Sequence, residues 1–274
     1  MAGIVGVHGI GKYDYFLRAG RSATGAAEAM RRKWDRYLHA CLGGQARPYF
    51  TEIAYFSHHL NDGDGGEPEP ARAVAGLDGQ AELMLAGWAR NLGLGEHVTG
   101  ALKSFTGWLL DTLDERSAAF AALFAPEVAA YLTDEGRREK CRRAVAETIR
   151  RSGANVVIAH SLGSVVTYEA LWADPSLRVD LLVTLGSPLG MRNVVFERLL
   201  PAPVGGRGER PPGVGRWVNI ADKDDIAAIP PALAGCFTGV DAENLVNLDW
   251  IDFHTAEKYL GCPALGPHLR PFLA

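Results

Sequence analysis

The sequence predicts an α/β protein: a mostly parallel sheet of about six strands, flanked by helices, with a helical insertion ahead of its central strand. Two observations carry this. Short apolar runs at residues 4–7, 156–158, 181–185 and 217–220 alternate with longer segments whose apolar residues recur every three or four positions, the alternation that builds a parallel sheet covered by helices. The runs are apolar at successive positions, as strands buried on both faces must be. A chain of 274 residues is long enough for one such core. We therefore expect residues 1–274 to form a single domain, with 60–135 as the inserted helical cap.

Composition narrows the function classes. Apolar residues make up 47% and charged residues 22% of the chain, with a formal net charge of -4. The basic runs, Arg31-Arg32-Lys33 and residues 137–143, fall in helical patterns and read as solvated faces, so no nucleic-acid partner is expected. Cys41, Cys141, Cys236 and Cys262 show neither metal-ligand spacing nor a paired framework. Cys41 and Cys141 fall on apolar helix faces and read as small buried hydrophobes. No run approaches the roughly 18 apolar residues of a membrane span. The first residues enter a strand-like run with no basic leader. A reduced, cytoplasmic protein without metal or cofactor is the expectation.

In chain order, residues 3–8 read as the first strand, with His8-Gly9-Ile10-Gly11 at its carboxyl end, where two glycines permit a tight turn. Residues 6–12 (GVHGIGK) also fit the spacing of a phosphate-binding loop. That loop needs Ser or Thr next to hold Mg²⁺, and Tyr13 stands there. The helical pattern also begins late, near Ser22 or Thr24. Ala26, Met30, Trp34, Tyr37, Leu38 and Cys41 mark a helix over about 24–42, and residues 48–56 a second strand. His58 and His59 follow that strand; on an extended chain they would face opposite ways, poorly placed to chelate, and they read as loop residues at a site mouth.

Residues 61–70 are rich in Gly, Asp, Glu and Pro and predict a flexible excursion. Leu102, Phe105, Leu109, Leu110 and Leu113, then Phe120, Leu123, Phe124 and Val128, keep helical spacing. They predict a cap over an apolar pocket. Thr133 is placed to cap a helix over 135–151, buried through Cys141, Val145 and Ile149.

Residues 155–168 (NVVIAHSLGSVVTY) organise the rest: a buried strand, a sharp turn with Ser161 at its apex, then a helix. This is the context that gives G-x-S-x-G its chemical meaning, with Ala159 in place of the first glycine. A strand at 181–185 leads into Gly186-Ser187-Pro188-Leu189-Gly190, and 201–215 reads as a surface loop. Asp222, Asp224 and Asp225 cluster after the strand at 217–220. A last strand at 244–250 precedes His254. Ser, Asp and His thus occur in that order, each at the carboxyl end of a strand, where α/β sheets bind their ligands.

Together VGVHGIG, VVIAHSLGS, LVTLGSPLG, WVNIADKDDIA and DFHTAEKYL resemble the α/β-hydrolase fold superfamily, in its serine esterase and lipase-like branch. The resemblance implies Ser161 as nucleophile, His254 as general base, and the N–H groups of Ile10 and Leu162 as an oxyanion hole. It favours Asp225, which precedes the small apolar pair Ile226-Ala227, as the acid, with Asp224 and Asp222 as rivals. It implies hydrolysis of a small-molecule carboxylic ester or thioester with a hydrophobic acyl part, through an acyl-enzyme and without cofactor. Acyl transfer or macrocyclisation uses the same residues, and a non-catalytic ligand-binding member of the fold is the rival from another class. The chain departs from the family in Ala159, in an insertion that precedes the nucleophile strand, and in lacking the first antiparallel strands.

Overall fold

Strand β3 (Val156–His160) lies inside a six-stranded sheet of order β2-β1-β3-β4-β6-β8. Its neighbours are β1 (Ala2–Val7) and β4 (Val179–Leu185). β2 (Tyr49–Ala54) closes one edge; β6 (Val214–Asp222) and β8 (Ala242–Val246) complete the other. Every adjacent pair is parallel. In this computed structural model the described residues are 2–42, 49–61, 79–93, 115–248 and 254–273. The positions from Leu102 to Leu113 lie outside them.

Side-chain alternation divides the core into two layers. Ile4, Val156, Ile158, Leu181, Val183, Val218 and Ile220 face one layer. α2 (Ala23–Leu42) closes it through Ala26, Met30, Trp34, Leu38 and Leu42, a stripe at four-residue spacing. α7 (Ala256–Leu260) packs there too. Val5, Val7, Val157, Ala159, Leu182 and Trp217 face the opposite layer. That side carries α3 (Gly79–Asn91), α4 (Glu115–Thr133), α5 (Glu135–Ser152) and α6 (Leu162–Ala173). A Cβ on Gly6 would come within 2.6 Å of the Trp34 ring. The first glycine of GVHGIGK therefore lets the Trp34 indole pack directly against β1.

Several boundaries differ from expectation for local physical reasons. A short helix, α1 (Tyr13–Arg18), precedes the pattern expected from Ser22 or Thr24; six residues are too few to show periodicity, and an Asp14–Arg18 ion pair spans them. Asp134, rather than Thr133, caps α5 by accepting the Arg137 N–H at 3.0 Å. The Thr133 hydroxyl instead donates back to the Ala129 carbonyl. The last strand runs Ala242–Val246, earlier than 244–250. Within the expected loop 201–215, β5 (Gly208–Glu209) pairs with β7 (Phe237–Thr238), and β6 has already begun at Val214. His58 and His59 lie in a 3-10 turn rather than on extended chain, their ring centroids 3.8 Å apart. Among the described residues no helix is long and apolar enough to cross a membrane.

Candidate active site

The turn after β3 holds Ser161 at φ 55 and ψ -134, a conformation that costs a non-glycine residue about 1–3 kcal/mol and persists only where neighbours enforce it. They do so on every side. The Ser161 N–H donates to the Leu185 carbonyl at 3.0 Å, and its carbonyl accepts the Ser164 N–H at 2.9 Å and the Ser164 hydroxyl at 2.6 Å. With that hydrogen engaged, Ser164 Oγ accepts from Ser187 at 2.7 Å.

Two glycines let the end of β1 lie against this turn. A Cβ on Gly163 would sit 2.2 Å from the His8 carbonyl oxygen, and one on Gly9 2.5 Å from Ser161 Cβ. Ala159 creates no such conflict: its methyl is fully buried in the layer of Val7 and Leu182. The glycine that the turn demands is the one after the serine.

His254 reaches Ser161 from a segment 93 residues away, with Nε2 2.8 Å from Oγ. Its Nδ1 lies 2.8 Å from Asp225 Oδ2 and 2.9 Å from Oδ1. An ionised carboxylate can only accept, so Nδ1 carries the ring proton and Nε2 turns its lone pair toward the serine hydroxyl. Asp225 also accepts the Tyr259 hydroxyl at 2.6 Å and the Ala227 N–H at 2.8 Å. It is 2% exposed, and these donors offset the cost of burying its charge.

The other two aspartates are engaged elsewhere. Asp222 accepts the Asp224 N–H at 2.8 Å and the Leu248 N–H; Asp224 is exposed. The structure therefore brings Ser161, His254 and Asp225 together and leaves Asp222 and Asp224 out.

Comparison with known protein families, curated proteins and solved structures finds no match to this chain. Its function is read from the chemistry of the site.

Leu162 opens α6, so its N–H is among those that no intrahelical carbonyl can reach. Ile10 lies in the loop beside Ser161, and among the described residues its N–H has no acceptor. Both are free to meet negative charge. His8 shapes that loop: Nδ1 donates to the Gly9 carbonyl at 2.8 Å, and Nε2 accepts the Phe56 N–H at 3.1 Å. Burial lowers its pKa to about 3, so it stays neutral. His160 stands 4.8 Å from His254 between ring centroids. Burial, then the charge of His254, hold it well below the usual histidine range.

Two features of the site have only faint sequence signals. Tyr259, five residues past His254, is fully buried, and burial followed by the Asp225 charge push its hydroxyl far upward, keeping it a donor. The other is Glu127, a lone carboxylate in the apolar run APEVAAYL. An isolated charge in a buried helical stripe is the signal that marks it. The Phe120 ring stands edge-on to His254 at 5.1 Å, and Trp88 on α3 donates to the Ile226 carbonyl at 2.7 Å. Among the described residues no group of three or more His, Cys, Asp or Glu is placed to hold a metal ion.

Proposed function

We propose that the protein is a serine hydrolase of α/β-hydrolase architecture, cleaving a carboxylic ester or thioester through an acyl-enzyme on Ser161. The observation that carries this reading is the unbroken relay from Ser161 Oγ through His254 to Asp225, 2.8 Å at each step, with the serine held at a strained turn. A serine hydroxyl is a weak nucleophile at neutral pH and needs such an adjacent base.

In this mechanism Oγ attacks the substrate carbonyl carbon while His254 Nε2 takes its proton. Asp225 keeps the imidazole in the correct tautomer and stabilises the imidazolium. The N–H groups of Leu162 and Ile10 receive the oxyanion, a role worth about 3–4 kcal/mol per donor in comparable sites. Collapse of the tetrahedral intermediate breaks the bond to the leaving alcohol or thiol, which takes the proton from Nε2. Water then repeats the sequence, releasing the acid and freeing Ser161. In this reading α3 and α4 belong to a cap, and Phe120 against His254 supports a hydrophobic acyl group.

The test is covalent labelling by a fluorophosphonate. Wild-type protein should label, and Ser161→Ala and His254→Ala should not. Folded wild-type protein that stays unlabelled, and releases no p-nitrophenol from esters of rising chain length, would remove the reading.

A further inference from the structure

Glu127 sits on α4 one residue after Pro126, which interrupts the helical hydrogen-bond ladder at that turn. It is 6% exposed. Oε1 accepts the Gly11 N–H at 3.2 Å and an Asn61 Nδ2 hydrogen at 3.5 Å. Oε2 is buried with no partner among the described residues. Gly11, at φ 66, follows Ile10 directly, so the amide that Glu127 holds is one peptide away from the Ile10 N–H.

Building on the proposed role of Ser161, we infer that Glu127 is a positioning residue: it clamps the loop 9–11 to α4 and thereby fixes the Ile10 N–H beside the serine.

The surroundings make this clamp sensitive to protonation. Burial raises the Glu127 carboxyl to about 7; the Gly11 N–H, Asn61 and Lys12 pull the other way. Among the described residues Tyr55 and Cys141 also face it electrostatically, both pushed up by burial and so neutral around pH 7. Tyr55 donates its hydroxyl hydrogen to the Lys12 carbonyl at 2.7 Å, bracing the same loop. A carboxylate holds an amide about twice as strongly as a neutral acceptor does. The loop is therefore gripped more firmly above pH 7 than below it.

Two readouts test the clamp on the full chain. In ¹⁵N-resolved NMR the Gly11 amide should shift with a midpoint near pH 7 in wild type and stay flat in Glu127→Gln, which keeps a carbonyl but cannot titrate. Fluorophosphonate labelling of folded Glu127→Ala should slow on the order of 10-fold, a fraction of what losing an oxyanion donor costs, while Glu127→Gln retains most of the rate at pH 6. A Gly11 amide that does not titrate, or titrates unchanged in Glu127→Gln, overturns the clamp. So does wild-type labelling speed in Glu127→Ala. Were wild type itself not labelled, the hydrolase reading would fall while the Gly11 titration still decided the clamp.

Discussion

Tyr259 donates its phenolic hydrogen to Asp225 Oδ2 at 2.6 Å while its oxygen accepts the Asp222 N–H at 2.8 Å. One hydroxyl thus joins the acid of the proposed relay to the end of β6, on which that acid's loop is mounted. Gly186 makes room for this: a Cβ there would come within 2.7 Å of Asp225 Oδ2 and 2.8 Å of the Tyr259 ring. The carboxylate is held by two donors, Tyr259 and the Ala227 N–H, before His254 meets it.

Asp225→Asn should lower turnover or labelling by about 10³–10⁴-fold, because an amide can no longer enforce the Nδ1–H tautomer. Asp224→Asn, an exposed change, should leave the rate within about twofold. Comparing the two by the same labelling assay checks the assignment. An equal collapse in Asp224→Asn would transfer the role.

The strain at Ser161 should be measurable as stability. Glycine reaches its φ of 55 without the penalty a side chain incurs. Ser161→Gly should therefore be more stable than Ser161→Ala by about 1 kcal/mol in urea denaturation, although neither can form an acyl-enzyme. Equal midpoints would mean that the turn is relaxed.

Acid should expose the buried histidine of the first loop. The folded-state pKa of His8 is lowered from 6.5 to about 3, so the native state binds fewer protons than the unfolded chain. Its contribution is fully present above pH 6.5 and is lost progressively as pH falls toward 3. By pH 5 that amounts to about 2 kcal/mol. Denaturation of wild type and His8→Gln at pH 7 and pH 5 measures the difference. The variant should lose about that much less; identical losses would place the acid sensitivity elsewhere.

The central strands were legible because buried strands and amphipathic helices write their period into the chain: Val156 to Ile158, and Ala26 to Leu42, appear where expected. The turn at Ser161 is legible from its small neighbours, and Ala159, which departs from the family pattern, does not disturb it. A methyl on that strand position meets no obstacle, whereas one on Gly163 would strike the His8 carbonyl. Which glycine matters depends on how closely β1 approaches α6, and that is set by packing between segments 155 residues apart. Among the three aspartates the small apolar pair Ile226-Ala227 favours Asp225 in sequence without excluding its rivals, for a similar reason. Only the positions of Leu248, His254 and Tyr259 decide which carboxylate serves which donor. Thr133 and Asp134 could each cap a helix, and a hydrogen bond back to Ala129 had already engaged the first.

The sheet order also divides labour along the chain. Ser161, Asp225 and His254 all come from β3 onward, while Gly9, Ile10 and Glu127 come earlier. The two stretches meet at Gly153, an exposed residue with φ 61 that ends α5. In the sheet their seam is the β1–β3 register, Ile4 beside Val156 through Val7 beside Ala159. A polypeptide cut at Gly153 would leave the residues of the proposed proton relay on one fragment and the loop proposed to receive charge, with Glu127, on the other. Reassembly of the pair through that register, and through the packing of α5 on α6 with its Arg138–Glu169 ion pair, would restore the complete site, making this fold a natural scaffold for a split reporter.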